Sequence, residues 1–594
     1  MILTLRPRLG LSALVLSALL VACGGGGGGS DAAVTPPVNP VPVTPVVEKP
    51  ATRAEAARFL AQASFGATDV DIDRVMAVGY AAWIDEQLAL PATSHRASWE
   101  AADRAIKAVT PTASAGQDQV FESFWKQAVT GPDQLRGRVA YALSQIFVLS
   151  MVDGTVSQSP RAVADWLDML GGTGLGTYRA LLESVSRHPM MGVYLSHLRN
   201  QKPDTRSGRV PDENYAREVM QLFSIGLVEL NDDGSPRTAG GSTLDTYTPA
   251  DISGLAKVFT GWSWACPDWP DNSCFSTGSA NGSSDPDRSF KAMLGYPQYH
   301  STEAKSFLGT TIAAQASSDP AASLQAALDT LAAHANVGPF IGRQLIQRLV
   351  TSNPSPAYVR AVSQAFANNG AGVRGDMKAV VKAVLMHPEA RQMSPTAGKL
   401  REPVLRLAAY LRAFPHSSDT GNWRVGNTDN PATSLGQTPL RSPSVFNFYR
   451  PGYIAPGSSA AAQGLVAPEM QIAHETSAAA WVNFMRDNVA SGVGANNGTV
   501  NGVVLNRRDI RPDFTAELAL ANDPAALVDR VAGRLSYTAG TELKAEIATA
   551  VGSIAVPLLN AAASNQAAID SAKRNRVNAA ILMVLASPEF QVQQ

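Results

Sequence analysis

The sequence PDENYAREVMQLFSIG, residues 211–226, has a helical pattern that recurs through most of this chain. On a helical wheel, its apolar side chains, which include Tyr215, Val219 and Phe223, occupy one arc of about 160°. The polar side chains fill the opposite arc, and Asp212 is placed to cap the first turn. This separation predicts an amphipathic helix that packs its apolar face into a protein core.

The polar face of this predicted helix consists of Glu213, Asn214, Arg217, Glu218 and Gln221. If the face is exposed, Glu213 and Arg217 form an ion pair that contributes roughly a few tenths of a kcal/mol. If a neighbouring helix covers the face, Glu213 and Glu218 become buried carboxylates beside Arg217, a setting in which acid and base pKa values separate. The burial of this face therefore decides between a solvated surface and a catalytic site.

The same spacing of apolar residues extends along the chain on both sides. It predicts helices over 55–63, 71–78, 134–149, 162–170, 178–185, 213–225, 250–260, 320–334, 339–350, 356–368, 376–386 and 403–413. Strand alternation is rare, and the clearest β signal is a hairpin from 227–230 that turns through 231–234. The segments 264–297, 416–440 and 490–512 are predicted to be irregular. The fold class predicted is mainly α, a large multi-helix domain with one or two short β-hairpins.

The first thirty residues have the pattern of an export signal. Arg6 and Arg8 precede an apolar stretch, 9–21, that is shorter than the ~20 residues of a spanning helix. Residues 20–23, LVAC, resemble the lipobox of bacterial lipoproteins, and an ordinary signal peptide with an incidental cysteine is the alternative. We predict a signal peptide over 1–22 and a lipid anchor on Cys23. Because Gly24 follows this cysteine, the resemblance favours the outer membrane, on its periplasmic face or at the cell surface.

The composition of the rest of the chain divides it into a tether and a large domain. Residues 24–50 are a glycine run followed by TPPVNPVPVTPVVEKP, which cannot build a core and favours extended polyproline conformations. We therefore expect 23–50 to be a lipidated, disordered tether and 51–594 to be a helical domain, either as one body or as two lobes that meet near 416–440. The net charge of −1, without long blocks of like charge, argues against nucleic acid as a partner.

The loop WACPDWPDNSCF, residues 264–275, contains two cysteines and two tryptophans. In an oxidising compartment Cys266 and Cys274 are expected to form a disulfide, although two free thiols or a metal site are alternatives. Trp264 and Trp269 flank this loop and are candidates for stacking on a sugar ring or on a partner protein. Trp262 follows a helical pattern and is assigned to the core.

Ten stretches of the chain, in order, closely resemble the motifs of the bacterial domain-of-unknown-function 1800 (DUF 1800) family. They are ARFLAQASFGAT (57–68), LRGRVAYALSQIFVLS (135–150), RHPMMGVYLSH (187–197), PDENYAREVMQLFSIGL (211–227), TYTPADISGLAKVFTGW (246–262), HSTEAKSFLG (300–309), FIGRQLIQRLVTSNPSPAYV (340–359), GVRGDMKAVVKAVL (372–385), KLREPVLRL (399–407) and SPSVFNFYRPGY (442–453). The resemblance covers residues 54–594.

The resemblance implies an exported bacterial protein, but it does not specify a reaction. Members of the family look to be encoded beside a second exported family, numbered 1501, that resembles alkaline phosphatases and sulfatases, so a protein of that family is an expected partner. This chain departs from the family pattern at Gln221, where an acid is at least as common. No catalytic role is therefore carried over to that position.

Candidate catalytic residues have to be found without a known motif. The chain contains no GxSxG, HExxH or CxxCH sequence, and we predict no metal and no cofactor. In HSTEAK, residues 300–305, His300 and Lys305 lie directly after a long irregular segment, where functional side chains are often placed.

Three hypotheses follow for the function. The first is a binding or assembly lipoprotein at the cell envelope that holds a partner protein or a glycan. The second is an enzyme acting on an envelope or extracellular polymer, with Glu213 or Glu218 as acid and base, Arg217 as a charge stabiliser, and His300 or Lys305 supplied by the later loop. The third is a purely structural component of the envelope.

Overall fold

The computed structural model describes residues 48–392, 397–562 and 564–594. The predicted signal peptide, Cys23 and nearly all of the predicted tether lie outside these residues. Residues Val47–Gln594 form one compact unit. Among the residues described, no helix combines the length and the hydrophobicity that crossing a membrane requires.

Helices dominate the described residues, which confirms the predicted mainly α fold. The first thirteen are α1 (Arg53–Ala63), α2 (Asp69–Val78), α3 (Tyr80–Ala89), α4 (His95–Val109), α5 (Gln117–Thr130), α6 (Gln134–Ser144), α7 (Pro160–Gly172), α8 (Tyr178–Arg187), α9 (Pro189–Tyr194), α10 (Asn214–Gln221), α11 (Pro249–Ala256), α12 (Asn272–Thr277) and α13 (Pro320–Ala333). The remainder are α14 (Val337–Leu349), α15 (Pro356–Ala367), α16 (Met377–Met386), α17 (Pro388–Arg391), α18 (Pro403–Ala413), α19 (Ser459–Ala462), α20 (Glu475–Ser491), α21 (Thr515–Leu518), α22 (Pro524–Leu535), α23 (Thr541–Gly552), α24 (Gln566–Ala586) and α25 (Pro588–Gln591).

The strands are short and pair antiparallel. They are β1 (Thr238–Ala239), β2 (Ser242–Thr243), β3 (Trp262–Ser263), β4 (Ser279–Ala280), β5 (Ser283–Ser284), β6 (Leu294–Gly295), β7 (Lys305–Phe307), β8 (Thr310–Ile312), β9 (Lys399–Leu400), β10 (His416–Ser418), β11 (Val493–Val500), β12 (Val503–Pro512) and β13 (Val592–Gln593). A three-stranded sheet has the order β10, β12, β11, and the two-stranded sheets pair β1 with β2, β3 with β6, β4 with β5, β7 with β8, and β9 with β13.

Helix α14 lies at the centre of the described fold. It packs against α6, α13, α15 and α16, and most of its residues are buried, including the polar Gln344, Gln347 and Arg348. Two glycines allow α15 to approach closely: a Cβ atom on Gly342 would lie 2.9 Å from Val362 Cγ1, and one on Gly338 would lie 2.8 Å from a serine hydroxyl. The interior therefore contains polar side chains that need polar partners.

The helix predicted over 213–225 is shorter in the structure. Helix α10 ends at Gln221 because the chain turns sharply after it: the Gly226 N–H donates to the Met220 carbonyl at 3.0 Å, and Gly226 has a φ of +71°. Glycine adopts this left-handed conformation without steric cost, and it commonly ends helices for that reason. Helix α10 begins one residue later than predicted, so Glu213 and not Asp212 is its N-cap residue; the Asp212 carboxylate still accepts a hydrogen bond from the Asn214 N–H at 2.8 Å.

The β structure differs from the prediction in its location. The turn at 231–234 forms, with the Gly234 N–H donating to the Asn231 carbonyl at 2.9 Å, but the residues around it make only isolated bridges. The longest hairpin, β11 and β12, lies in the segment 490–512 that was predicted to be irregular. Asn501 and Gly502 connect its strands with positive φ angles. An Asn-Gly pair is a strong hairpin signal, so the sequence did contain the information.

The segment 416–440, where two lobes were considered, is tied to the rest of the unit. Its strand β10 pairs with β12, with His416 opposite Pro512. Further along, Gln437 is buried and donates to the Glu402 carboxylate at 2.5 Å. This segment therefore reaches the interior of the fold.

Candidate functional site

A cavity of about 420 Å³ opens beside α14, and we name it the arginine cavity. It is lined by Gln145, Ile146, Gln221, Leu222, Gly226, Leu227, Val228, Leu230, Gly234, Phe340, Arg343, Gln344, Gln347, Arg348, Val445, Phe446, Arg450, Pro451 and Gly452. Four of the motif stretches quoted above, 135–150, 211–227, 340–359 and 442–453, supply most of this lining. Its volume lies in the range of about 300 to 1,000 Å³ that is typical of small-molecule sites.

The charged residues of the arginine cavity are all basic. Arg343 and Arg450 are exposed, whereas Arg348 is buried. The lining contains no aspartate or glutamate, and among the described residues none of these three arginines forms an ion pair with a carboxylate. Arginine binds carboxylates, phosphates and sulfates through paired N–H donors. The cavity therefore has the electrostatic character of a site for an anion.

Arg348 is held in place by Gln145. Two of its nitrogens donate to Gln145, one to the side-chain Oε1 at 3.1 Å and one to the backbone carbonyl at 3.0 Å. The guanidinium also lies over the ring of Tyr449, 5.4 Å from the ring centroid. The Gln145 Oε1 accepts from Arg348. The Gln145 Nε2 therefore points away from Arg348, and it donates to the Glu402 carboxylate at 2.5 Å. These contacts fix both side chains at the base of the cavity.

Glu402 is the centre of a buried hydrogen-bond network below the cavity. Its side chain is almost completely buried, and its Oε2 accepts from the Tyr141 hydroxyl at 3.0 Å and from Gln145 and Gln437 at 2.5 Å each. Burial and the nearby Glu402 charge raise the pKa of Tyr141 well above its ordinary value, so Tyr141 stays a hydrogen-bond donor. A buried carboxylate with several donors is a stable anchor for the residues that contact it.

Two further cations hold the end of α14. Arg138 donates to the Arg348 carbonyl at 2.6 Å, and Lys399 donates to the same oxygen at 3.0 Å. Lys399 also forms a buried ion pair with Glu469, with 2.8 Å between Nζ and Oε1. Burial lowers the pKa of Lys399, and Glu469 opposes this shift. Cations interact favourably with the carbonyls at a helix C-terminus, and here they fix the backbone of Arg348.

Several buried polar atoms of the cavity residues have no hydrogen-bond partner among the described residues. They are the Nε2 of Gln344, the Oε1 of Gln347 and the Nε of Arg348. The Nε2 of Gln347, in contrast, donates to the carbonyls of Ser352 and Pro451 at 3.0 and 3.2 Å. Buried polar atoms normally have partners, so these three leave hydrogen-bonding capacity unsatisfied next to the cavity.

The predicted polar face at 213–221 is divided between surface and interior. Arg217 is exposed and Glu213 is partly exposed, and they form an ion pair with 3.6 Å between their closest atoms. Glu218 is only 7% exposed, and its Oε2 has no partner among the described residues. Burial raises the pKa of the Glu218 carboxyl, and Arg217 opposes this shift. Gln221 accepts from the Tyr247 hydroxyl at 3.4 Å and reaches the arginine cavity.

His300 and Lys305 lie elsewhere and are not brought to this face by any contact among the described residues. The His300 Nδ1 donates to the Thr260 carbonyl at 2.8 Å, so its Nε2 accepts from the Ser323 hydroxyl at 3.0 Å. Burial lowers the pKa of His300 to about 4, which keeps the ring neutral. The buried Lys305 ammonium, whose pKa burial also lowers, donates to the Glu303 carbonyl at 3.3 Å. Both residues are therefore placed as interior hydrogen-bonding groups.

The cysteine loop, which we define as residues 264–275, is closed by a disulfide bond. A disulfide joins Cys266 to Cys274. Trp269 is 46% exposed, while Trp264 is partly buried against the core. Among the described residues there is no group of three or more histidine, cysteine, aspartate or glutamate side chains arranged to hold a metal ion.

Apart from Gln221, the polar residues that build the arginine cavity were not singled out from the sequence. Arg138 and Gln145 interrupt the apolar stretch LRGRVAYALSQIF, and Arg343, Gln347 and Arg348 interrupt FIGRQLIQRLV. Polar side chains inside a strongly apolar helical pattern indicate buried hydrogen bonds or a site. That signal was present, but only the fold shows that the two stretches meet.

Comparison with known proteins gives one match. The family described as Protein of unknown function (DUF1800) matches residues 58–592. No curated protein and no solved structure matches the chain. Because the family match covers nearly the whole of the described unit, the chain belongs to the DUF1800 family.

Proposed function

We propose that this protein is an exported, lipid-anchored binding protein of the bacterial envelope, and that the arginine cavity is its ligand site. The ligand is a small organic anion with a carboxylate, phosphate or sulfate group and an apolar body. The observation that carries this proposal is the set of three arginines, Arg343, Arg348 and Arg450, in a cavity without a lining carboxylate. Such a site attracts anions and pairs with them through N–H donors.

The remaining lining supports an apolar body next to the anionic group. Phe340, Val445 and Phe446 contribute apolar surface to the cavity, and Leu222 and Leu227 extend it. Burial of such surface contributes roughly 25 cal/mol per Å² to binding before the costs of association. A ligand with both parts would use the arginines for orientation and the aromatic wall for affinity.

Calorimetric titration with matched probes tests the site. Benzyl phosphate and phenylacetate carry an anionic group on one benzyl body, while benzyl alcohol and benzylammonium provide neutral and cationic counterparts. We expect the anions to bind and the counterparts not to bind, and the relative affinities of phosphate and carboxylate distinguish the two head groups. Arg450→Gln and Arg343→Gln should each weaken anion binding about tenfold, because each removes one charged donor pair.

The control is Arg486→Gln, since Arg486 is an exposed arginine of α20 outside the cavity lining. It should leave the affinity unchanged. Equal binding of all four probes, or loss of affinity in the control as large as in Arg450→Gln, would contradict the proposal.

The anchor is tested separately from the ligand. If Cys23 carries lipid, labelled palmitate should be incorporated into the wild-type protein and the protein should sediment with membranes, whereas Cys23→Ala should lose both properties. Unchanged labelling in Cys23→Ala would contradict the anchor. Co-purification with the anchored form tests the expected partner of the family numbered 1501.

A second candidate function is an enzyme that acts on an envelope or extracellular polymer. It is favoured by Glu218, a buried carboxyl with a raised pKa and an unpartnered Oε2, one turn before Gln221 of the cavity lining. Such a group suits general acid catalysis. In the native host, Glu218→Gln should then cause the same loss of function as deletion of the gene, at normal protein abundance. Glu213→Gln, at the partly exposed end of the face, should not. An unchanged phenotype in Glu218→Gln would count against the enzyme.

A further inference from the structure

A second cavity, of about 620 Å³, lies between α8, the cysteine loop and the start of α13, and we name it the tryptophan cavity. Its principal side chains are Arg179, Glu183, Arg187, Trp262, Trp269 and Asp319. It shares no lining residue with the arginine cavity. The two cavities can therefore be studied independently.

The exposed tryptophan of this cavity is held in a fixed position. The indole Nε1 of Trp269 donates to the Gly295 carbonyl at 2.9 Å. The next residue is also held, because the Gln298 Nε2 donates to the Pro270 carbonyl at 2.7 Å. The disulfide from Cys266 closes the loop that carries Trp269. A large aromatic side chain that is exposed but fixed loses little conformational entropy when it binds a ligand.

The charges around the tryptophan cavity are neutralised within the wall. Arg179 forms ion pairs with Asp329 at 2.6 Å and with Glu183 at 2.9 Å. Glu183 also pairs with Arg187 at 3.2 Å. The lining contains two arginines and two acids, so it has no excess charge for an ionic ligand. It still presents N–H donors and carboxylate acceptors that can hydrogen-bond hydroxyl groups.

We propose that the tryptophan cavity binds a neutral saccharide. The C–H bonds on one face of a sugar ring carry partial positive charge and can lie on the negative face of an indole, which the partly exposed Trp269 of the lining offers. The ring hydroxyls would then exchange hydrogen bonds with the paired side chains of α8, and the buried Ser318 hydroxyl, which has no partner among the described residues, is a further polar group in the wall. The proposal does not depend on the ligand of the arginine cavity.

An array of oligosaccharides tests this site, with neutral, N-acetylated neutral and acidic sugars on one surface. The full-length protein should bind members of the neutral classes and should not prefer the acidic class. Titration of a bound neutral trisaccharide should change the intrinsic tryptophan fluorescence. Trp269→Ala should weaken binding at least tenfold, and Trp269→Phe should recover part of the affinity because it retains an aromatic face.

The matched control is Trp264→Phe, since Trp264 lies in the same loop but does not line the cavity. It should bind the trisaccharide as the wild type does. Failure of the folded wild-type protein to bind any neutral sugar, a preference for the acidic class, or equal binding by Trp269→Ala would each overturn the proposal.

Discussion

The two cavities differ in how the fold supports them. The arginine cavity has three arginines without a carboxylate partner among the described residues and rests on a buried network in which Gln145, Arg348 and Glu402 come from three distant parts of the sequence. The tryptophan cavity has balanced charges, and a disulfide-closed loop carries its exposed aromatic residue. Cations that face one cavity repel each other, so they need a rigid base, whereas a neutral wall does not. We therefore expect changes in the network to affect the arginine cavity and global stability together.

The largest effect is expected from Glu402→Gln. The substitution removes the negative charge that accepts three hydrogen bonds and that compensates the buried Arg138. Breaking a buried charged network from one side destabilises a protein by about 3 to 5 kcal/mol. Denaturant unfolding measures the loss, and anion binding should fall in the fraction that remains folded. Glu475→Gln, at an exposed position of α20, should have little effect, and equal stability of the two variants would contradict the role of the network.

Acid should weaken the side of the fold next to the tryptophan cavity. The pKa of His300 is about 4 in the folded protein, whereas an unfolded histidine titrates near 6.5, so between these pH values the unfolded state binds more protons. Stability is therefore lost as the pH falls from about 6.5 to 4, by up to roughly 3 kcal/mol from this residue. Unfolding free energies across this range should show a shallower pH dependence in His300→Gln. Equal pH dependence of stability in the variant and the wild type would contradict a contribution from His300. His197, whose pKa is also about 4, should still contribute in the variant.

Removal of the disulfide should affect ligand binding in only one of the two cavities. Cys266→Ala with Cys274→Ala frees the loop of Trp269, and the lost constraint should reduce stability by about 2 kcal/mol. Trisaccharide binding should weaken and anion binding should stay the same. If both affinities fell in parallel, the cavities would be coupled and the comparison above would be wrong.

The smallest effect is expected at Gly226, which lines the arginine cavity with a φ of +71°. An alanine Cβ there would lie 2.7 Å from a ring carbon of Phe340, so Gly226→Ala should displace that ring and weaken anion binding. Gly282→Ala is the matched control, because Gly282 has a φ of +79° and open space around its added Cβ. Both variants should lose about 1 kcal/mol of stability from the left-handed backbone, and only the first should lose affinity. Equal affinities would show that Phe340 adapts.

The sequence was sufficient for the mainly α fold class but insufficient for the sites, and it also missed helices such as α3, α4, α5 and all those after α18. All twelve predicted helices are present, because apolar spacing reports directly on which face of a helix is buried. The sequence left open the burial of the whole polar face at 213–221, because the contrast between the buried Glu218 and the partly exposed Glu213 depends on neighbouring helices. Trp262 was assigned to the core. It is buried, but part of its side chain also lines the tryptophan cavity.

The arginine cavity could not be predicted, for a physical reason. Arg348 and Gln145 are 203 residues apart, and no local pattern states that two helices will bring them together. In the sequence, each of these two residues is a polar residue within an otherwise apolar helical pattern. Long-range contacts decide their function, and the spacing of apolar residues contains no information about such pairs.

The pairing of β9 with β13 has a consequence for how this protein is made. Lys399 holds the end of α14, and Gln593 lies opposite it in the strand pair and donates to the carbonyls of Leu349 and Val350 at 2.7 and 3.1 Å. The two carbonyls that end α14 therefore gain these partners only after residue 593 has been synthesised, so a segment almost 250 residues further along the chain completes the end of this helix.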